Sequence, residues 1–229
     1  MYKVLITGGT GFVGKWLRAT QPQKVDAVYL SRANYKNQNL WRGWNYTRII
    51  HAANISPALI IEQAKKDNAR LLYISSGIVY HPENDIVYRR NKMAWEREVL
   101  ASGVDVVIAR LFTFYGAGLD DNKAIVQFKK AAKEGKPLRI WGDGSTVRSY
   151  MYGLEMGKLL WSVLLHGESG EAYDIGDETP ITMLQLATII AAATAPRPEI
   201  IIEGRKEAMP VYLPVDAAKA KRLLDKHGK

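Results

Sequence analysis

Thr7-Gly8-Gly9-Thr10-Gly11-Phe12-Val13-Gly14 stands directly after the apolar run Tyr2 to Ile6 and directly before a helix-like stretch, and its reading decides the fold. Glycines let the backbone turn tightly and come close to a pyrophosphate, where a side chain would stand in the way. The helix that follows offers unpaired N–H groups and the positive end of its dipole. A glycine spacing alone is weak evidence, but a place between a first strand and a first helix is the context a dinucleotide-binding turn requires. Gly8, Thr10, Gly11, Phe12, Val13 and Gly14 are therefore expected to hold a dinucleotide's phosphates.

Working outward, the second strand, Asp26 to Ser31, should end beside the adenosine ribose. An Asp or Glu about 20 residues beyond such a turn usually holds the ribose hydroxyls. Here, 32 − 14 = 18 residues beyond Gly14, stands Arg32, preceded by Ser31. A guanidinium pairs a 2′-phosphate bidentately and stacks on adenine. Ser31 and Arg32 therefore point to NADP(H), with NAD the alternative.

Apolar, β-rich runs recur at Tyr2–Ile6, Ala27–Leu30, Arg48–Ala52, Arg70–Ser75 and Val104–Leu111, with helix-like stretches between most of them. That alternation predicts an α/β fold, a doubly wound and mostly parallel Rossmann sheet. Ser56-Pro57 reads as a helix start, and a second helix is expected over Asn91 to Ser102, stopping at Gly103. Beyond Tyr115 the pattern shifts to helices with short strands, over Asp121 to Glu134, Leu154 to His166 and Met183 to Ala193, the last opened by a Thr182/Gln185 capping box. A final helix follows Asp216. The expected division is a dinucleotide-binding domain over 1–115 and a small, mainly helical substrate lobe over 116–229, with parts of 146–176 returning to the first domain. The polar and aromatic segment Ala33 to Tyr46 is short for a crossover helix plus a strand, so the sheet is expected to lack one strand there.

The chain has 229 residues, 47% of them hydrophobic, enough for one sizeable globular unit or a domain with a smaller lobe. No stretch approaches the ~20 apolar residues of a membrane span, and no room is left for a signal peptide, so a cytoplasmic setting is expected. Cysteine is absent and the four histidines fall at no metal-ligand spacing, so no metal is expected. The formal net charge of +9 is scattered, without a basic helix interleaved with aromatics. It suits an anionic, phosphate-bearing small molecule better than nucleic acid.

Tyr88 and Lys92, four apart at a helix start, lie on one face, where their heads can share a ligand. A lysine cation and an oxidised nicotinamide nearby would draw the phenol down from its ordinary value of ~10 toward the working pH, as general acid–base catalysis needs. Ser75 and Ser76 close the strand that begins near Arg70, at the carboxyl edge where α/β sheets gather ligands. Ser76 is placed to hydrogen-bond the reacting oxygen. Trp141, Trp161 and Tyr152 are read as core aromatics and left out of the site.

Taken together, the chain resembles the extended short-chain dehydrogenases/reductases of the NAD-dependent epimerase/dehydratase family, which handle nucleotide sugars. The resemblance runs nearly end to end. It rests on the glycine turn, His51-Ala52-Ala53, Ser75-Ser76-Gly77-Ile78-Val79-Tyr80, Tyr88 with Lys92 and Glu96, and Arg110 through Gly116. It continues through Trp141-Gly142-Asp143-Gly144 to Tyr150 and through Tyr173-Asp174-Ile175-Gly176. The resemblance implies that Ser76, Tyr88 and Lys92 form the catalytic trio and that Lys92 also binds the nicotinamide ribose. Ala52 and Ala53 would line the coenzyme, Phe112 would flank the nicotinamide, and Arg148 would hold the substrate diphosphate. Homodimerisation through the helices flanking the sheet is common among such relatives.

Three departures bear on mechanism. Gly77 and Ile78 follow Ser76 where the family's sugar 4,6-dehydratases carry Asp and Glu, which disfavours dehydration. Only 88 − 76 = 12 residues separate Ser76 from Tyr88, a trimmed excursion. Thr113 stands where the family commonly has Asn at the substrate, and Gly153-Leu154-Glu155 replaces its usual acidic turn. The expected function is NAD(P)-dependent hydride transfer at a ring carbon, C4, of a nucleotide-linked hexose, by reduction or epimerisation. The alternative is a non-catalytic dinucleotide-sensing or partner-binding protein, and nucleic-acid binding ranks last.

Overall fold

The computed structural model describes residues 1–83, 86–204 and 211–227. Its first half alternates β1 (Tyr2–Thr7), α1 (Phe12–Ala19), β2 (Val25–Leu30), α2 (Arg32–Lys36), β3 (Arg48–His51), α3 (Ala58–Asp67), β4 (Arg70–Ser76), α4 (Val87–Leu100) and β5 (Val106–Leu111). The second half runs β6 (Phe114–Tyr115), α5 (Ala124–Lys133), β7 (Leu138–Trp141), β8 (Val147–Arg148), β9 (Met151–Tyr152), α6 (Gly153–His166) and β10 (Ala172–Ile175). It ends with β11 (Ile181–Thr182), α7 (Met183–Ala192), β12 (Ile200–Glu203) and α8 (Ala217–His227).

The main sheet has the order β10-β5-β4-β3-β1-β2, every pairing parallel. Its strands read as nearly continuous apolar runs because both faces are covered. Side chains alternate between those faces. Val4, Ile6, Ile50, Leu72 and Val107 pack with Leu17 of α1, Leu160 and Leu164 of α6 and Ala220 of α8. Leu5, Ile49, Leu71, Tyr73 and Ile108 pack on the other side with Ile60 of α3 and Val99 of α4.

Residues 33–46 form no strand beyond α2 and a short 3-10 turn, so β2 is an edge. Their aromatics cover the sheet instead. Tyr35, Trp41 and Tyr46 are buried against Leu5 and Ile49, with Tyr35 and Trp41 stacked at 5.7 Å and the indole N–H donating to the Tyr35 carbonyl at 3.1 Å. Three large rings thus replace a crossover helix as the source of apolar area on that face.

α5, β7, α7 and β12 enclose a separate cluster built on Phe128, Leu138, Ile140, Leu186 and Ile190. α7 begins where its capping box does: Thr182 accepts from the Gln185 N–H at 3.0 Å, and Gln185 accepts from the Thr182 N–H at 2.7 Å. The indole of Trp16 fixes the approach of α6 and of the chain after β6. A Cβ on Gly153 would fall 2.3 Å from it and one on Gly116 2.6 Å, which gives a steric reason for the glycine at 153. Among the described residues no helix is long and apolar enough to cross a membrane.

Candidate active site

The carboxyl ends of β1, β3, β4 and β5 lie side by side, and the sequence places chemistry at each. After β1 the backbone turns at Gly8, whose φ of +71° favours glycine. A Cβ there would meet the Ala52 carbonyl carbon and the Ala53 nitrogen at 2.9 Å. A Cβ on Gly14 would lie 2.5 Å from the Gly9 Cα, so α1 can come this close to the turn only with glycine at 14, while a Cβ on Gly9 would fall 2.7 Å from the Tyr29 Cβ. Gly11 is the N-cap of α1 and lends no side chain to the cap. The first N–H groups of that helix therefore keep their capacity for an anion. This narrow, side-chain-free cradle fits a dinucleotide diphosphate.

His51 fixes the cradle's far wall. Its Nε2–H donates to the Ile55 carbonyl at 3.1 Å, which leaves Nδ1 to accept the Thr7 hydroxyl at 2.9 Å. The Thr7 oxygen in turn accepts from the Ala53 N–H at 3.3 Å. Complete burial lowers the His51 pKa to about 4, so the ring is neutral. Three elements are thereby tied at the point where Ala52 and Ala53 line the turn.

Ser31 accepts from the Asn34 N–H at 3.2 Å as the N-cap of α2. Arg32, its neighbour, is exposed at the end of β2.

Ser76, Tyr88 and Lys92 come together. Lys92 is buried, with Nζ donating to the Ile74 carbonyl at 2.9 Å and lying 5.2 to 5.7 Å from the ring centres of Tyr73, Trp95 and Tyr88. Burial lowers its pKa to about 8, against a partial counter-pull from Glu96. Tyr88 behaves differently from the expectation. Burial raises its pKa and only the hydrogen bond from Ser76 lowers it, because the Lys92 ammonium is directed at a backbone carbonyl. Burial thus holds Tyr88 as a neutral phenol.

Beside the trio runs an aromatic wall. Phe112 is buried between Tyr80 (6.4 Å) and Tyr212 (5.4 Å), and Tyr212 stacks on His81 at 4.9 Å. A Cβ on Gly77 would fall 2.4 Å from the Phe112 ring. The missing acidic residue after Ser76 has a steric reason: the ring fills its place. The Tyr212 hydroxyl lies 3.0 Å from Ser76 Oγ, a contact between residues 136 apart that no spacing could suggest. Thr113 sits just past β5, its carbonyl accepting from the Met151 N–H at 3.0 Å.

Arg148, on β8, bridges Tyr212 in parallel and holds its guanidinium 5.6 Å from that ring's centre. Burial lowers its pKa. Two residues earlier, Thr146 lines a pocket of roughly 790 Å³ with Asn122, Gln127, Phe128, Arg139 and Trp141. Trp141 is 70% exposed, not core. The signal was available: in β7, Leu138 and Ile140 are buried, and period-two alternation turns Arg139 and Trp141 outward together.

A model of the NAD dependent epimerase/dehydratase family matches residues 18–176. UDP-glucuronic acid decarboxylase 4 of Arabidopsis thaliana is 28% identical over 88% of this chain and 50% of its own length. The chain spans about half the length of the first such curated relatives it matches. UDP-N-acetylglucosamine 4-epimerase from Bacillus cereus superposes with a TM-score of 0.84 at 19% identity, over 98% of this chain and 90% of that one. RMD from Pseudomonas aeruginosa, complexed with NADPH, gives 0.77 at 22% identity over 100% and 93%. These two likenesses concern the fold.

Proposed function

The chain belongs to the NAD dependent epimerase/dehydratase family, and from that premise we propose that it is an NAD(P)-dependent enzyme moving hydride at C4 of a nucleotide-linked hexose, with Tyr88 as the acid–base residue. The observation that carries the reading is the meeting, at one sheet edge, of the glycine cradle with Ser76, Tyr88 and Lys92. A nicotinamide coenzyme, when bound, supplies the site's hydride donor and acceptor. Gly8, Thr10, Gly11, Phe12, Val13 and Gly14 would hold its diphosphate, Lys92 its nicotinamide ribose, and Ala52 and Ala53 its flank. Ser31 and Arg32 would take a 2′-phosphate, which favours NADPH over the NAD of the family's name.

Ser76 would hold the substrate's C4 oxygen, and Tyr88 would give that oxygen a proton as a ketone becomes an alcohol. A phenol is protonated at pH 7 at its ordinary pKa, and burial keeps Tyr88 so. An NADPH preference at Arg32 favours net reduction of a 4-keto sugar over epimerisation, which would recycle a tightly held coenzyme without net turnover. The relatives named UDP-glucuronic acid decarboxylases support a uridine-linked substrate. Arg148 would fork onto the diphosphate, with Thr113 near the sugar, and the Trp141 pocket would take the base. Dehydration is disfavoured because Phe112 occupies the space a second acid would need.

The test is coenzyme oxidation across a panel of UDP- and dTDP-linked 4-keto sugars, with NADPH and NADH. Turnover that depends on Tyr88 supports the reading. Tight coenzyme binding with no turnover on any of them would favour a dinucleotide sensor instead.

A further inference from the structure

A serine hydroxyl has one proton to give and lone pairs for two donors. Ser76 Oγ lies 3.0 Å from the Tyr212 hydroxyl and accepts from the Ile78 N–H at 3.4 Å, and the Ser76 hydroxyl is the group that opposes the burial-raised pKa of Tyr88. We propose that Tyr212 is a positioning residue of this site: its hydroxyl donates to Ser76, which turns the single Ser76 proton into the site, toward Tyr88 until the C4 oxygen of a substrate takes it. The proposal rests on the reading of Tyr88 as the acid–base residue and adds a third hydroxyl to the relay.

The placement of Tyr212 is over-determined. Its ring is held by His81 on one side, Phe112 on another and the Arg148 guanidinium at 5.6 Å. The chain beyond it is anchored as well: the N–H groups of Val215 and Asp216 donate to Asp174 Oδ2 at 2.7 and 3.3 Å. Asp174 accepts the Tyr80 hydroxyl at 3.0 Å, Tyr80 accepts from Arg110 at 2.7 Å, and Arg110 forks onto Glu96 at 3.1 and 2.7 Å. Glu96 is also the carboxylate that acts on Lys92. One hydrogen-bonded network thus reaches from Glu96, whose charge acts on Lys92, to the segment just after Tyr212.

The relay as proposed runs from Tyr212 as donor to Ser76 as acceptor. Burial pushes the Tyr212 pKa up to about 12, so its hydroxyl keeps the proton that this direction requires across the working range. Negative charge developing on Tyr88 would then be met by Ser76, itself polarised from behind, and hydrogen bonds in such a chain strengthen one another. The groups facing Tyr88 are Ser76 and Tyr73 from β4, Lys92 on α4 with Glu96 behind it, and Tyr212 with His81 and Arg148 around it.

The full-length protein labelled with 13C at the tyrosine ζ carbon, with the Tyr88 signal assigned by its loss in Tyr88→Phe, reports the ionisation directly. In Tyr212→Phe the Tyr88 ionisation constant should fall about three- to tenfold, moving its titration up by roughly half to one pH unit, and the alkaline limb of turnover should move with it. In a Ser76→Ala background, adding Tyr212→Phe should move nothing further. A Tyr88 titration identical in wild type and Tyr212→Phe, or shifts that simply add in the double variant, overturns the proposal. Unchanged NADPH affinity shows that Tyr212→Phe is folded. Failure of the underlying reading shows separately, as undiminished turnover by Tyr88→Phe.

Discussion

The two sides of the sheet's carboxyl edge are built on opposite principles. At the amino-terminal turn the backbone does the shaping: Gly8 and Gly14 sit where any Cβ would lie 2.5 to 2.9 Å from another backbone atom. Around Tyr212 the side chains do it, with Ser76 and His81, Phe112, and Arg148 drawn from three distant stretches of sequence. A surface made of backbone recognises what every dinucleotide shares, its diphosphate. A surface made of side chains can be re-cut for one substrate.

The sharpest break of that comparison is at the chemistry between the two sides. Tyr88→Phe should keep coenzyme affinity and lose about two to four decades of turnover, the usual worth of general acid–base catalysis; steady-state rates with a 4-keto sugar check this, and equal rates would remove Tyr88 from its role.

Next in size is the wall of the cradle. The His51 pKa of about 4 in the fold lies below its ordinary 6.5. Between those values the unfolded chain binds the extra proton, so the stabilisation is fully present above about pH 6.5 and is lost as pH falls toward 4. The loss amounts to roughly 3 kcal/mol. Urea midpoints measured from pH 7 to 4.5 should fall accordingly, and His51→Gln should flatten the slope.

A milder break is Gly14→Val. Forcing a side chain against Gly9 costs about 1–3 kcal/mol, which should weaken NADPH binding about ten- to a hundredfold by calorimetry. The same substitution should leave substrate-side contacts alone. Arg32→Asp is the smallest of these: losing a charge-assisted bond to phosphate should shift the NADPH/NADH preference by roughly tenfold toward NADH. An unaltered ratio would take Arg32 out of the coenzyme site.

The comparison also explains what could be read from the chain. Steric demands at the turn are local, so eight consecutive residues announced them, and continuous apolar strands announced a sheet covered on both faces. The spacing of Tyr88 and Lys92 put them on one helix face, where they lie. The direction of the Tyr88 shift was missed because it depends on where the Lys92 ammonium points, and that is set by the Ile74 carbonyl on another element. Tyr212 was missed for the same reason: 136 residues separate it from Ser76, and only the fold brings them to 3.0 Å. Trp141 was legible through alternation in β7 but was read as core.

The central claim is that the glycine cradle and the trio hold one coenzyme between them. Calorimetric titration of NADPH into wild type and Lys92→Met tests it most directly, because Lys92 is remote in sequence from the turn and its head is buried against β4, two strands away from β1. The account predicts an affinity about ten- to a hundredfold weaker in the variant, from the loss of a charged hydrogen bond to the ribose. Its melting temperature at pH 7 should be held or raised, since a buried cation has been removed. Equal affinity for NADPH in a folded Lys92→Met protein would contradict the account.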